Sequence, residues 1–92
     1  MAKRLLIEGV VQGVGYRYAF AERATALGLA GWVRNRSSGA VEASVHGPAA
    51  ALDAIVAWAH QGPAAARVST VRVADDTEPG PTGATFEIRP TA

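Results

Sequence analysis

From residue 4 to residue 11 the chain reads Arg4-Leu5-Leu6-Ile7-Glu8-Gly9-Val10-Val11, a run of branched apolar side chains that ends in a glycine cluster and predicts a buried β-strand. A loop follows at Gln12-Gly13-Val14-Gly15. From Tyr16 the period lengthens. Tyr16, Phe20, Ala24 and Leu27 recur at spacings of four, four and three, with Arg17, Glu22, Arg23 and Thr25 turned elsewhere, so an amphipathic helix is expected, ending near Gly28.

The period then shortens to two. Gly31-Trp32-Val33-Arg34-Asn35 and Ala40-Val41-Glu42-Ala43-Ser44-Val45-His46 flank the turn-forming link Arg36-Ser37-Ser38-Gly39, which reads as a β-hairpin. Val41, Ala43 and Val45 share one face of the second run, leaving Glu42, Ser44 and His46 on the other. Gly47-Pro48 opens a second helix with Leu52, Ile55, Val56 and Ala59 as its apolar stripe and Trp58 at the stripe's edge, and Gly62-Pro63 stops it. Val68 to Val73 is another strand, Ala74 to Gly83 a polar loop, and Thr85-Phe86-Glu87-Ile88-Arg89 a short closing strand with Phe86 and Ile88 inward. The order β-α-β-β-α-β places the chain in the α+β class. It predicts a ferredoxin-like sandwich: a mixed or antiparallel sheet of four to five strands with two helices on one face.

Composition narrows the function. At 92 residues, 49% hydrophobic and 18% charged, the chain is sized for a single domain over residues 1–92 with one core. It has no cysteine, which excludes disulfides, zinc–thiolate sites and a thiol nucleophile. Glu8 and Gly9 interrupt the apolar stretch after Lys3 and Arg4 too early for a signal peptide or a membrane helix, so the expectation is a cytoplasmic protein with no membrane partner. The glycosylation acceptor Asn35-Arg36-Ser37 is set aside on the same ground. A net charge of +1 lies far from the basic balance of nucleic-acid-binding domains, so no nucleic-acid partner is expected, and a monomer is the default for a small domain of this kind.

The strand-to-helix turn is the first candidate for chemistry. Glycines there let successive backbone N–H groups converge on one concavity at the positive end of a helix dipole, a nest suited to a phosphate-sized anion, and Arg17 in the helix's first turn can grip phosphoryl oxygens beside them. The same glycines equally suit a tight connection, with Arg17 a solvated charge. Neither nucleotide fingerprint is met: Tyr18 stands where the dinucleotide pattern needs glycine, and no Gly-Lys-Ser/Thr follows. A right-handed crossover makes the first two strands parallel, so Asn35 lies at the same sheet edge as the loop, about 10 Å away if one strand intervenes. Asn35 also reads as a turn residue opening the hairpin. His46 and His60 read as surface histidines, and Asp75, Asp76 and Glu78 as a solvated acidic turn, so no metal or cofactor is expected.

The run Gly9-x-Val11-Gln12-Gly13-Val14-Gly15-Tyr16-Arg17 resembles the first signature of the acylphosphatase family, and Gly28-Leu29-x-Gly31-Trp32-Val33-Arg34-Asn35, continuing to Gly39-x-Val41-Glu42, resembles its second. The likeness extends through Gly62-Pro63-x-x-Ala66-Arg67-Val68 to Phe86-x-Ile88. The departures are Ser38-Gly39 where many members have Asp-Gly, and Tyr16 where phenylalanine is common. The resemblance implies hydrolysis of a small-molecule acyl phosphate, with substrate bound by Gln12, Gly13, Val14, Gly15, Tyr16 and Arg17. It makes Arg17 the principal substrate-binding side chain and Asn35 the residue that positions the attacking water. The rival readings are non-catalytic: a module that holds an acyl or carbamoyl phosphate for a partner, or an RNA-binding domain of the same element order. Against RNA, neither Val41 to His46 nor the first strand carries a stacking aromatic.

Overall fold

The computed structural model describes residues 1–77 and 85–92. Its elements are β1 (Ala2–Val10), α1 (Tyr16–Ala26), β2 (Ala30–Asn35), β3 (Val41–His46), α2 (Ala49–Gln61), β4 (Arg67–Asp75) and β5 (Phe86–Ile88). The strands form one sheet in the order β4-β1-β3-β2-β5. β3 pairs antiparallel with both β1 and β2, so those two strands run parallel with β3 between them, as the crossover rule requires. β4 is antiparallel to β1, and β5 lies parallel beside β2, which makes the sheet mixed.

The alternation read from the sequence sets the core face. Leu5, Ile7, Val33, Val41, Ala43 and Val45 turn inward from the sheet and meet Tyr16, Phe20 and Ala24 of α1 and Leu52, Ile55 and Ala59 of α2. Phe20 sits in an aromatic cluster, with ring centroids 5.8 Å from both Trp58 and Phe86. Tyr16 is buried among them, and its hydroxyl donates to the Ala59 carbonyl at 2.8 Å. That carbonyl lies in the last turn of α2, where the N–H four residues on would belong to Pro63, which has none. The phenol replaces the missing donor.

The strand limits differ from the sequence pattern by more than one residue at two places. β1 begins at Ala2 because Ala2 and Lys3 pair with His46 and Val45, and β4 runs on to Asp75 because Asp75 pairs with Lys3. Ala74 and Asp75 look like loop by composition, yet a ladder is made by main-chain groups and extends under polar side chains on an edge strand. The rest of the expected polar loop falls partly on residues 78–84, outside the described residues.

On the sheet face away from the helices, Trp32 is 5% exposed, with the guanidinium groups of Arg34, Arg89 and Arg4 at 4.6, 5.0 and 5.1 Å from its ring centre. Glu42 lies beneath two of them, accepting from Arg34 at 2.8 Å and Arg4 at 3.0 Å. Burial would push its carboxyl up, but these two partners outweigh it and hold Glu42 below its ordinary range. Ser44 Oγ donates to Asp76 Oδ2 and meets His46 Nε2 at 3.0 Å. Among the described residues no helix is long and apolar enough to cross a membrane.

Candidate active site

Because β1 and β2 are parallel, both end at one edge of the sheet, and the chain leaving β1 must turn there to enter α1. Gly13 and Gly15 make the turn with φ of 75° and 77°, whereas Gln12 and Val14 keep negative φ. An alternation of φ sign along consecutive residues rotates their N–H groups toward a common point, the geometry of an anion nest. Gly15 is also the N-cap of α1; no side chain caps this helix, and no acidic residue stands in its first turn. Among the described residues none of the amides from 13 to 18 donates to a backbone carbonyl, so the donors at the positive end of the helix dipole are free.

These amides border a cavity of about 140 Å³ lined by Val11, Gln12, Gly13, Gly15, Tyr16, Arg17, Tyr18 and Asn35. The structure thus brings Arg17, on α1, and Asn35, at the end of β2, into one pocket across the intervening β3. Arg17 is half-buried and, among the described residues, has no carboxylate or hydrogen-bond partner; its guanidinium lies 5.9 Å from the Tyr18 ring centre. Lys3, Arg4, Arg34, Arg36, Arg72 and Arg89, in contrast, each contact a carboxylate. Asn35 Oδ1 is buried and, among the described residues, unpaired. A buried acceptor left without a donor costs about 1–3 kcal/mol, so this atom, on a residue that lines the cavity, lacks the donor it needs.

The other loop residues divide by backbone and side chain. Gln12 Nε2 donates to the carbonyls of Arg36 at 2.7 Å and Ala40 at 2.9 Å, which ties the loop to the β2–β3 hairpin and uses both side-chain N–H donors, so the donor Gln12 can offer an anion is its backbone amide. Val14 packs against the core and does not line the cavity. The Tyr16 hydroxyl makes no polar contact with the loop, because it is turned inward to Ala59. Tyr18 and Val11 line the cavity without having been singled out by sequence pattern. The available signal for Tyr18 was an aromatic ring one position past Arg17 and off the apolar stripe of Tyr16 and Phe20.

Two wider clefts lie elsewhere, one of about 330 Å³ beside Trp58 and Pro63 and one of about 390 Å³ beside Leu52 and Val73. Among the described residues, neither is lined by the first residues of a helix or by an orphaned polar atom. Asp75 pairs with Lys3 at 2.6 Å and Asp76 with Arg4 at 3.2 Å, while Glu78 is outside the described residues. His46 rests against Ser44, and His60 is exposed in the last turn of α2. Among the described residues no group of three or more His, Asp or Glu side chains could hold a metal ion.

Residues 3–88 match the family model described as acylphosphatase. A protein from Azoarcus sp. strain BH72 bearing that name is 53% identical over 99% of this chain and 92% of its own length. Among solved structures, an acylphosphatase from Bacillus subtilis superposes with a TM-score of 0.86 at 35% identity, covering 96% of this chain and 97% of its own. One from Coxiella burnetii does so with a TM-score of 0.88 at 31% identity, covering 96% and 90%.

Proposed function

This chain belongs to the acylphosphatase family, and on that basis we propose that it hydrolyses acyl phosphates to a carboxylate and inorganic phosphate in the cavity between Arg17 and Asn35. The observation that carries the reading is the meeting, in one pocket, of cationic and amide donors with a buried acceptor, all without partners among the described residues. The first two recognise a phosphoryl group. The third recognises water.

The N–H groups of the loop and first helical turn, together with the Arg17 guanidinium, hold the phosphoryl oxygens. Phosphoryl transfer passes through a loose transition state with charge on its equatorial oxygens, so donors fixed around them stabilise it without moving. Asn35 Oδ1 accepts a hydrogen bond from a water, which fixes one O–H and leaves an oxygen lone pair to face phosphorus. The bond from water oxygen to phosphorus forms as the bond to the acyl oxygen breaks, and the electron pair leaves with the carboxylate. The conjugate acid of that leaving group has a pKa of about 4, so it departs without general-acid help. Asparagine takes no proton at neutral pH, and the water's protons pass to phosphoryl oxygens or solvent. Positioning does most of the work.

The test is phosphate release from benzoyl phosphate by the purified protein with a chelator present, beside Arg17→Ala. Chelator-resistant turnover in the wild type and its loss in the variant is the expected result. A folded wild type that binds inorganic phosphate but releases none from benzoyl phosphate would replace hydrolysis with ligand holding.

A further inference from the structure

The cavity, about 140 Å³, is bordered by the loop glycines, Arg17 and Asn35, the groups that suit the phosphoryl end and its attacking water. With the phosphoryl end held there, the acyl group extends toward the remaining lining residues. Among the lining residues, Tyr18 is the one with an exposed aromatic ring: it is 67% exposed, whereas Tyr16 is 1% exposed. The remaining aromatic residues are buried or half-buried. The core does not account for the Tyr18 ring, and its hydroxyl has no hydrogen-bond partner among the described residues. The Arg17 guanidinium lies 5.9 Å from its ring centre, so the ring stands beside the group that anchors the phosphoryl end.

We propose that Tyr18 is a specificity-determining residue whose exposed ring stacks on the acyl portion of the substrate, favouring aromatic or extended planar acyl phosphates over small aliphatic ones. The proposal rests on the acyl phosphate reading of the cavity. A planar acyl group leaving the mouth meets a ring on one side and water on the other, and offset stacking at such a site supports about a threefold to tenfold preference. A two-carbon acyl group offers no face to stack.

The experiment compares kcat/KM for benzoyl phosphate and acetyl phosphate in the wild type, Tyr18→Ala and Tyr18→Phe, with a thermal melt of each. Because the ring is exposed, both variants are expected to melt like the wild type. The ratio of benzoyl to acetyl kcat/KM should fall about threefold to tenfold in Tyr18→Ala and stay within about twofold in Tyr18→Phe. An unchanged ratio in Tyr18→Ala overturns the proposal, whether both rates stay the same or both fall together; in the latter case the ring acts only through the Arg17 guanidinium. A wild type that turns over neither compound overturns the reading of the cavity, and this proposal with it.

Discussion

Tyr16→Phe separates the fold from the chemistry at a residue that belongs to both. The phenol is 1% exposed and donates to the Ala59 carbonyl, which no helical N–H reaches because Pro63 stands four residues on. Removing the hydroxyl deletes one buried hydrogen bond and strands an acceptor at a fully buried residue, at a cost of about 1–2 kcal/mol. For a domain of this size that lowers Tm by about 5–15 °C. Turnover of the folded variant should stay close to wild type, since the Tyr16 hydroxyl is turned away from the loop to Ala59. The same burial raises the phenol above its usual value of 10.0. Folding therefore favours the protonated phenol: its contribution is complete below pH 10 and is lost as pH rises further, by up to about 1.4 kcal/mol per pH unit. Tyr16→Phe should remove that alkaline slope. Circular-dichroism melts at pH 7 and pH 11, with turnover measured at 25 °C, decide it. A variant that melts like wild type, or one that stays folded but loses turnover, would refute the assignment of the hydroxyl to α2.

Three further outcomes follow from the geometry. Glu42 is held below its ordinary range, so its contribution is present above the unfolded value of 4.5 and is lost as pH falls through the lower folded value. The gap in Tm between wild type and Glu42→Gln should be widest near pH 7 and close toward pH 2; a gap independent of pH would show that the ion pairs are not its source. Gln12→Ala removes the tie from loop to hairpin, and since Arg36 O and Ala40 O keep backbone donors, stability should fall by only about 1 kcal/mol. Misplacing the loop should cut kcat/KM about tenfold; an unchanged value would mean that the nest holds its shape unaided. Gly31 has φ 136°, and a Cβ there would run into the Ser44 carbonyl of the neighbouring strand. Gly31→Ala should lose about 3 kcal/mol or more in urea unfolding, and a wild-type midpoint would contradict the close approach.

Much of this molecule is legible in its periodicities. The helical spacing of Tyr16, Phe20 and Ala24 and the alternation of Val41, Ala43 and Val45 each name an inward face, and those residues are buried. The parallel relation of β1 and β2 follows from connection handedness, and it is what carries Asn35 toward the glycine loop. Side-chain direction was less legible. Nothing in the spacing says that Gln12 turns to the hairpin carbonyls or that the Tyr16 hydroxyl reaches α2, because both depend on partners 24 and 43 residues away. Trp32 and its three guanidiniums were similarly hidden: Arg4, Arg34 and Arg89 come from separate segments that only the sheet order brings together. The length of β4 was missed because polar residues on an edge strand look like loop, although their backbone completes the ladder.

The assignment of Arg17 to the phosphoryl group and Asn35 to the water is most directly tested by separating binding from turnover in Asn35→Ala. Steady-state kinetics on benzoyl phosphate, with competitive inhibition by inorganic phosphate measured in parallel, report the two quantities. If Asn35 acts on the water, kcat falls by about a hundredfold or more while KM and phosphate inhibition stay within about threefold of wild type. A rise in KM and loss of phosphate inhibition at wild-type kcat would instead place Asn35 among the phosphate ligands and contradict its assignment to the water.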